Sequence, residues 1–416
     1  MASSNYERAK EVYASLGIDT DKAIETLKQI PISLHCWQGD DIVGFENSET
    51  ALGSGLAVTG NYPGRARNME ELRSDILKAL SLTPGKYRLN LHANYADFSS
   101  SKKVDRDAIG VEHFQSWIDW AKEHNLALDF NSTFFSHPKA DGLTLTSKDK
   151  GIRDFWIEHS KRCREIGEAM GKAQGSACVH NIWIADGMKD IPADRNIYRE
   201  ILKSSLDEIL KTKISKEYLL DSVESKVFGI GTESYVVGSN EFYLGYAIKN
   251  DIMLTLDLGH FHPTENVADK IGTVLMYVPG LLFHLSRGVR WDSDHVILYN
   301  DELRSVAEEI VKTNQLDKIH IGTDYFDASI NRIGAWATGS RASQKALLHA
   351  LLMPNKKLCE YEDAGNYGAR LALIEAEKTL PFADVWNEYC AQSNVPNDLG
   401  VIDEVAKYEA DVTSKR

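Results

Sequence analysis

Apolar residues along the chain gather into short runs that end in polar groups, and stretches of helical periodicity separate these runs. An N-terminal helix is expected from Ser4 to about Ile30, stopped by Pro31. Strand candidates then fall at residues 32–38, 87–95, 126–135, 178–185, 219–230, 252–261, 281–291 and 318–325. Helical patterns lie between them, at 69–82, 110–125, 149–172, 194–213, 239–249, 263–277 and 301–314. The connection from Gly39 to Asn68 has no such pattern. It is polar and glycine-rich, and a loop of that length inside a compact domain reads as a lid over a site.

Strict alternation of strand and helix implies parallel strands joined by right-handed crossovers, and eight repeats close most simply into a (β/α)₈ TIM barrel of the α/β class. An open doubly wound sheet is the alternative, but no G-x-G-x-x-G follows the first strand. Polar residues also collect where a barrel builds its site, at the carboxyl ends of strands. They are His92, Asn131, Trp183 with Asp186, Glu224 with Lys226, Asp257 with His260, His284 and Asp324. The barrel with its N-terminal helix is expected over residues 1–340. A C-terminal helical extension follows over 341–416, with helices at 344–352, 369–378 and 381–392, and is expected to pack on a neighbouring subunit.

Composition narrows the function. Of 416 residues 43% are hydrophobic and 26% charged, as in an ordinary globular protein. No apolar run reaches the roughly 18 residues of a membrane helix, and the N-terminus lacks a signal-peptide core. A net charge of −14 opposes a nucleic-acid partner but not a small neutral substrate. Cys36, Cys163, Cys178, Cys359 and Cys390 are scattered without C-x-x-C spacing, which suits reduced thiols in the cytoplasm.

The candidate chemistry is concentrated between Leu254 and His295, where two strand ends bring Asp257, His260, His284, Asp292 and Asp294. Carboxylates and imidazoles are costly in such places unless paired, and a divalent cation suits both. Glu224 and Lys226, two apart, are expected to share a strand face, and Asp324 ends the eighth strand. Seven candidate ligands result. Their five carboxylates carry about −5, two divalent ions would supply +4, and Lys226 the last positive charge. Oxygens and imidazoles without thiolate suit Mn, Mg, Co or Zn.

The order Glu-x-Lys, Asp-x-x-His, a single ligand, Asp-x-Asp and Asp on successive strands is similar to the xylose-isomerase-like two-metal barrels. Whole segments resemble the L-rhamnose isomerase family more closely: HCWQGDDIVGFEN from His35, TGNYPGRARN from Thr59, NIWIADGMKD from Asn181, VESKVFGIGTESY from Val223, DLGHFHPTE from Asp257, VRWDSDHV from Val289 and DYFDASINRI from Asp324. The resemblance runs from about residue 5 to the C-terminus. It implies a homotetrameric enzyme using Mn²⁺, or Zn²⁺, Co²⁺ or Mg²⁺, to interconvert L-rhamnose and L-rhamnulose. Glu224, Asp257, His284 and Asp324 would hold a first metal. Asp257, His260, Asp292 and Asp294 would hold a second.

Such a site suits a metal-mediated 1,2-hydride shift, with Lys226, His260, Asp292 and Asp294 in catalytic roles. Trp183, Phe130 and Phe134 are expected to form a wall that excludes water. His92 is expected to assist ring opening, Glu224 to touch substrate, and Trp37 to serve as lid packing or pocket wall. Two rivals remain at this point. One is a two-metal hydrolase on the same barrel, although the His-x-His of amidohydrolase barrels is absent from His35-Cys36-Trp37. The other is a sugar-binding module, which leaves Lys226 unexplained.

Overall fold

The computed structural model describes residues 4–46 and 56–416. Among them lie ten strands: β1 (Pro31–His35), β2 (Lys86–His92), β3 (Ala127–Asn131), β4 (Cys178–Trp183), β5 (Gly187–Met188), β6 (Leu219–Glu224), β7 (Tyr235–Val236), β8 (Met253–Asp257), β9 (Leu281–Leu285) and β10 (Ile319–Thr323). Eight of these close into a parallel barrel, each beside its neighbour in the chain, and β10 returns to pair with β1, Ile32 opposite Ile321. β5 and β7 form a separate antiparallel pair. Every residue of β8 and β9 is buried. Parallel strands covered on both faces need such near-continuous apolar runs, which is why the sequence displays them.

The expected strands all occur but are shorter at their carboxyl ends. That expected at 219–230 stops at Glu224, where the chain turns away and the Lys226 amide donates to the Gly238 carbonyl at 3.1 Å. Lys226 therefore lies beyond the strand and not on one strand face with Glu224.

Two helical expectations need correction. The N-terminal helix is two helices, Ser4–Ala14 and Thr20–Leu27. Gly17, at φ +80°, makes the break, and Asp19 caps the second helix by accepting from the Lys22 amide. The helix expected at 344–352 is the end of a 20-residue helix, Arg332–Leu351, that completes the eighth βα unit. A division at residue 341 falls inside it. This helix packs between the barrel and the C-terminal helices, so it is buried nearly all round and its small residues show little amphipathic period.

Four further helices follow, Asn355–Asp363, Tyr367–Glu377, Phe382–Gln392 and Asp398–Asp411. Phe382–Gln392 buries Val385, Trp386, Tyr389 and Cys390 and packs on helices Ser4–Ala14 and Arg332–Leu351. Arg416 clasps Asp75 at 2.6 Å, tying the extension back to the barrel. Among the described residues no helix is long and apolar enough to cross a membrane.

A candidate metal centre at the carboxyl end of the barrel

About 430 Å³ of space opens where the barrel strands end. Below it Glu224, Asp257, His284 and Asp324, from β6, β8, β9 and the residue after β10, place one ligand atom each within 4.8 Å of one another. His284 Nδ1 stands 3.2 Å from Glu224 Oε1 and 3.1 Å from Asp324 Oδ2. His260 lies alongside, Nδ1 at 3.1 Å from Glu224 Oε1 and Nε2 at 3.2 Å from Asp292 Oδ2. Asp294, at φ +44°, lines the same cavity. The structure thus brings all seven expected ligands to one end of the barrel.

This cluster is unfinished as protein alone. Asp257 Oδ1 accepts from the Gly259 amide and the Ser286 hydroxyl, but its Oδ2 has no hydrogen bond, and neither do His260 Nδ1, His284 Nε2 or Asp292 Oδ1. Four orphaned buried atoms at one place point to a missing partner, and oxygens with imidazole nitrogens are the donor set of a divalent cation. The residues therefore fit a metal. Electrostatics agree in direction. Burial lifts the Asp257 carboxyl to about 7, with the Glu224 and Asp324 carboxylates adding to the rise. Burial, then Asp292, Asp324 and Asp257, holds Asp294 well above the usual range. Burial opposes protonation of His284, yet Glu224 and Asp324 raise its pKa well above the ordinary imidazole value. A bound cation would supply the positive charge that these groups otherwise gain by protonation.

Lys226, buried, gives its ammonium to Asp292 Oδ2 at 2.5 Å and lies 5.9 Å from the Trp183 ring. Trp183 stacks on His260 with 6.2 Å between centroids, Phe135 meets Trp183 edge-on, and Phe326 lines the cavity. Phe130 and Phe134 do not reach it. Phe130 points outward onto Phe114, and Phe134 packs on Trp156 and His159. His92 borders the cavity with Nδ1 on the Thr133 hydroxyl, and burial drives its pKa to about 3, so it is neutral. Trp37 is wall: its indole N–H donates to Asp324 Oδ1 at 3.0 Å. Asp186 is structural, accepting from the amides and hydroxyls of Thr144 and Thr146.

The middle of the expected lid, residues 47–55, lies outside the described residues. Its flanks are anchored over the cavity. Ile42 and Leu56 line it, Glu46 pairs with the fully buried Arg106 at 2.9 Å, and the Tyr62 amide donates to Ala328. Gly60, at φ +114°, lies so close to the Ala328–Ser329 backbone that a Cβ would meet Ser329 N at 2.3 Å. Asn181 also lines the cavity and was not singled out in the sequence. An uncharged amide inside an apolar strand carries no charge signal.

The family model of L-rhamnose isomerase (RhaA) matches residues 1–416. The chain belongs to the L-rhamnose isomerase family. An L-rhamnose isomerase of Bacteroides thetaiotaomicron is 56% identical over 416 residues, covering 100% of this chain and 99% of the relative. One of Rhodopirellula baltica is 55% identical over 412 residues, covering 99% and 96%. A solved L-ribulose 3-epimerase aligns with TM-score 0.46 and 11% identity over 78% of this chain and 96% of its own, a distance at which it carries no part of the assignment. Membership of the L-rhamnose isomerase family leaves the two-metal hydrolase without support.

Proposed function

We propose that this protein interconverts L-rhamnose and L-rhamnulose. The supporting observation is the four-residue ligand cluster at the barrel's carboxyl end, in a chain similar over its full length to L-rhamnose isomerases. In this reading Glu224, Asp257, His284 and Asp324 hold one divalent ion, and Asp257, His260, Asp292 and Asp294 a second, with Mn²⁺ the favoured metal. Bound ions would supply the charge that gathers sugar oxygens and stabilises negative charge developing on them.

The reaction moves hydrogen from C2 to C1 of the open-chain aldose and the proton of the C2 hydroxyl to O1. Lys226 donates to the oxygen on which charge grows, an interaction worth more in the transition state than before it. His92, neutral, offers its imidazole to a sugar hydroxyl during ring opening. The rings of Trp183, Phe135 and Phe326 exclude water, so hydrogen passes within the substrate instead of exchanging with solvent. The described flanks of the connection, at Ile42 and Leu56, cover the cavity.

The same reading includes a cytoplasmic homotetramer. Exposed apolar side chains on the C-terminal helices, Leu371 at 66% and Leu399 at 75%, support subunit contacts there. The test is incubation of metal-loaded protein with a panel of aldoses, read by ketose formation. L-Rhamnose is expected to react, and chelation to abolish turnover. Failure to form ketose from any 6-deoxy sugar would overturn the proposal.

A further inference from the structure

Layers of branched apolar side chains ordinarily fill the interior of a barrel of this type. Directly beneath the ligand cluster this barrel is polar instead. Asn181 of β4, Ser222 of β6 and Thr255 of β8 lie there, none more than 2% exposed. They form one chain of contacts that ends on Glu224. Ser222 Oγ is 2.7 Å from Thr255 Oγ1, the Thr255 hydroxyl donates to Asn181 Oδ1 at 2.8 Å, and Asn181 Nδ2 donates to Glu224 Oε2 at 2.5 Å.

The direction of this chain is determined. A flipped Asn181 amide would set its carbonyl oxygen against a carboxylate oxygen at hydrogen-bonding distance, two acceptors with no proton between them. The amide N–H therefore faces Glu224, and its oxygen accepts from Thr255. Thr255 has a single hydroxyl hydrogen, which this bond uses, so the Ser222 hydroxyl donates to Thr255. Every donor points toward Glu224, and each bond polarises the next. Glu224 is thereby divided. Oε2 is held by a neutral amide, and Oε1 is turned to His284 and His260 at 3.2 and 3.1 Å.

We propose that Asn181 is a positioning residue, oriented by Ser222 and Thr255, that fixes the plane of the Glu224 carboxylate so that its free oxygen is aimed at the metal centre. The terminal torsion of a glutamate is broad, so without this chain the plane of the carboxylate samples orientations that do not aim an oxygen at the centre. This inference rests on the metal-centre reading. Groups that orient metal ligands typically govern about 10- to 100-fold of metal affinity.

Thr255→Val keeps the shape of the side chain and removes the donor; Thr255→Ser restores it. Metal-stripped protein is titrated with Mn²⁺ alone in a calorimeter, and the thermal transition of the metal-free form is recorded alongside. Thr255→Val is expected to weaken Mn²⁺ binding by about 10- to 100-fold while the metal-free form still unfolds in one cooperative transition, lowered by the buried hydrogen bonds it loses, and Thr255→Ser to return the affinity to the wild-type value. Ser222→Ala, a smaller change at the far end of the chain, is expected to weaken binding severalfold and decides the matter if Thr255→Val does not fold. Wild-type affinity in the folded variants would overturn the positioning role alone. Absence of Mn²⁺ binding by the wild-type protein would overturn the metal-centre reading on which it stands.

Discussion

Asp221 and Glu224 stand on the same strand, three residues apart and both nearly buried, and they belong to opposite ends of the barrel. Asp221, toward the amino end of the barrel, takes a forked ion pair from Arg164 at 3.0 Å and a contact from His180 Nδ1 at 3.0 Å. Asp129, in the same region on β3, accepts from Arg88, the Ser33 hydroxyl and the Val179 amide. Burial pushes both pKa values up, but His180 and Arg164 at Asp221, and Arg88 at Asp129, bring them below the ordinary carboxylate range. At the carboxyl end, by contrast, five carboxylates share Lys226 and two imidazoles, and an oxygen each of Asp257 and Asp292 is left unbonded. The same chemical group is closed by protein at one end of the barrel and left open at the other. Buried carboxylates with a complete set of donors serve the fold; those without one mark the place where a ligand belongs.

The sharpest way to break this comparison is Lys226→Met. If the open end is for chemistry, the rate of ketose formation falls by about two to four orders of magnitude while metal content and open-chain sugar binding persist. Unchanged turnover with intact metals would make Lys226 a counter-ion for Asp292 and nothing more. Arg164→Met should do the reverse. It strips the closed end and leaves Asp221 buried without its forked partner, so unfolding in denaturant is expected to show a loss of about 3–5 kcal/mol, with turnover per folded molecule unaltered. A fall in turnover without loss of stability would show that the two ends are not separable.

The narrowest effect, confined to acid pH, concerns a buried group closed without charge. His159 accepts from the Thr133 amide at Nε2 and so donates from Nδ1 to the Arg106 carbonyl, both at 3.0 Å. Burial, and after it the Arg106 charge, lowers its pKa to about 3. Between pH 6.5 and about 3 the unfolded chain binds a proton that the folded protein refuses. Its contribution is therefore complete above pH 6.5 and lost progressively toward pH 3. His159→Gln is expected to flatten the fall of stability across that window, measured by denaturant titration at several pH values. An unaltered slope would assign the acid sensitivity to other groups.

The barrel was legible because strands buried on both faces must be apolar throughout, so polar side chains at their carboxyl ends stand out against them. Glu224, Asp257, His284 and Asp324 were found that way, and the structure gathers them. Three features escaped for separate physical reasons. Helix Arg332–Leu351 is covered on nearly every side and so lacks the polar stripe that announces a helix. Phe130 precedes Asn131 by one residue, and the two-residue period of a strand sends the neighbours to opposite faces, so the phenyl ring lies under a helix and the amide borders the cavity. The polar floor of Asn181, Ser222 and Thr255 is uncharged and lies within runs that otherwise look like core.

The seam of the barrel has a kinetic consequence. Asp324 follows β10, the last strand of the barrel, and its bond from Trp37 lies beside the junction at which that strand meets β1. A growing polypeptide thus holds Glu224, Asp257 and His284 long before the fourth ligand is made, and the final pairing bridges nearly the whole length of the barrel sequence. Contacts of such long range form late. In the proposed reading, capture of an ion by all four ligands would signal that the ring has closed, and the rate at which refolding protein takes up a divalent ion would time that closing step.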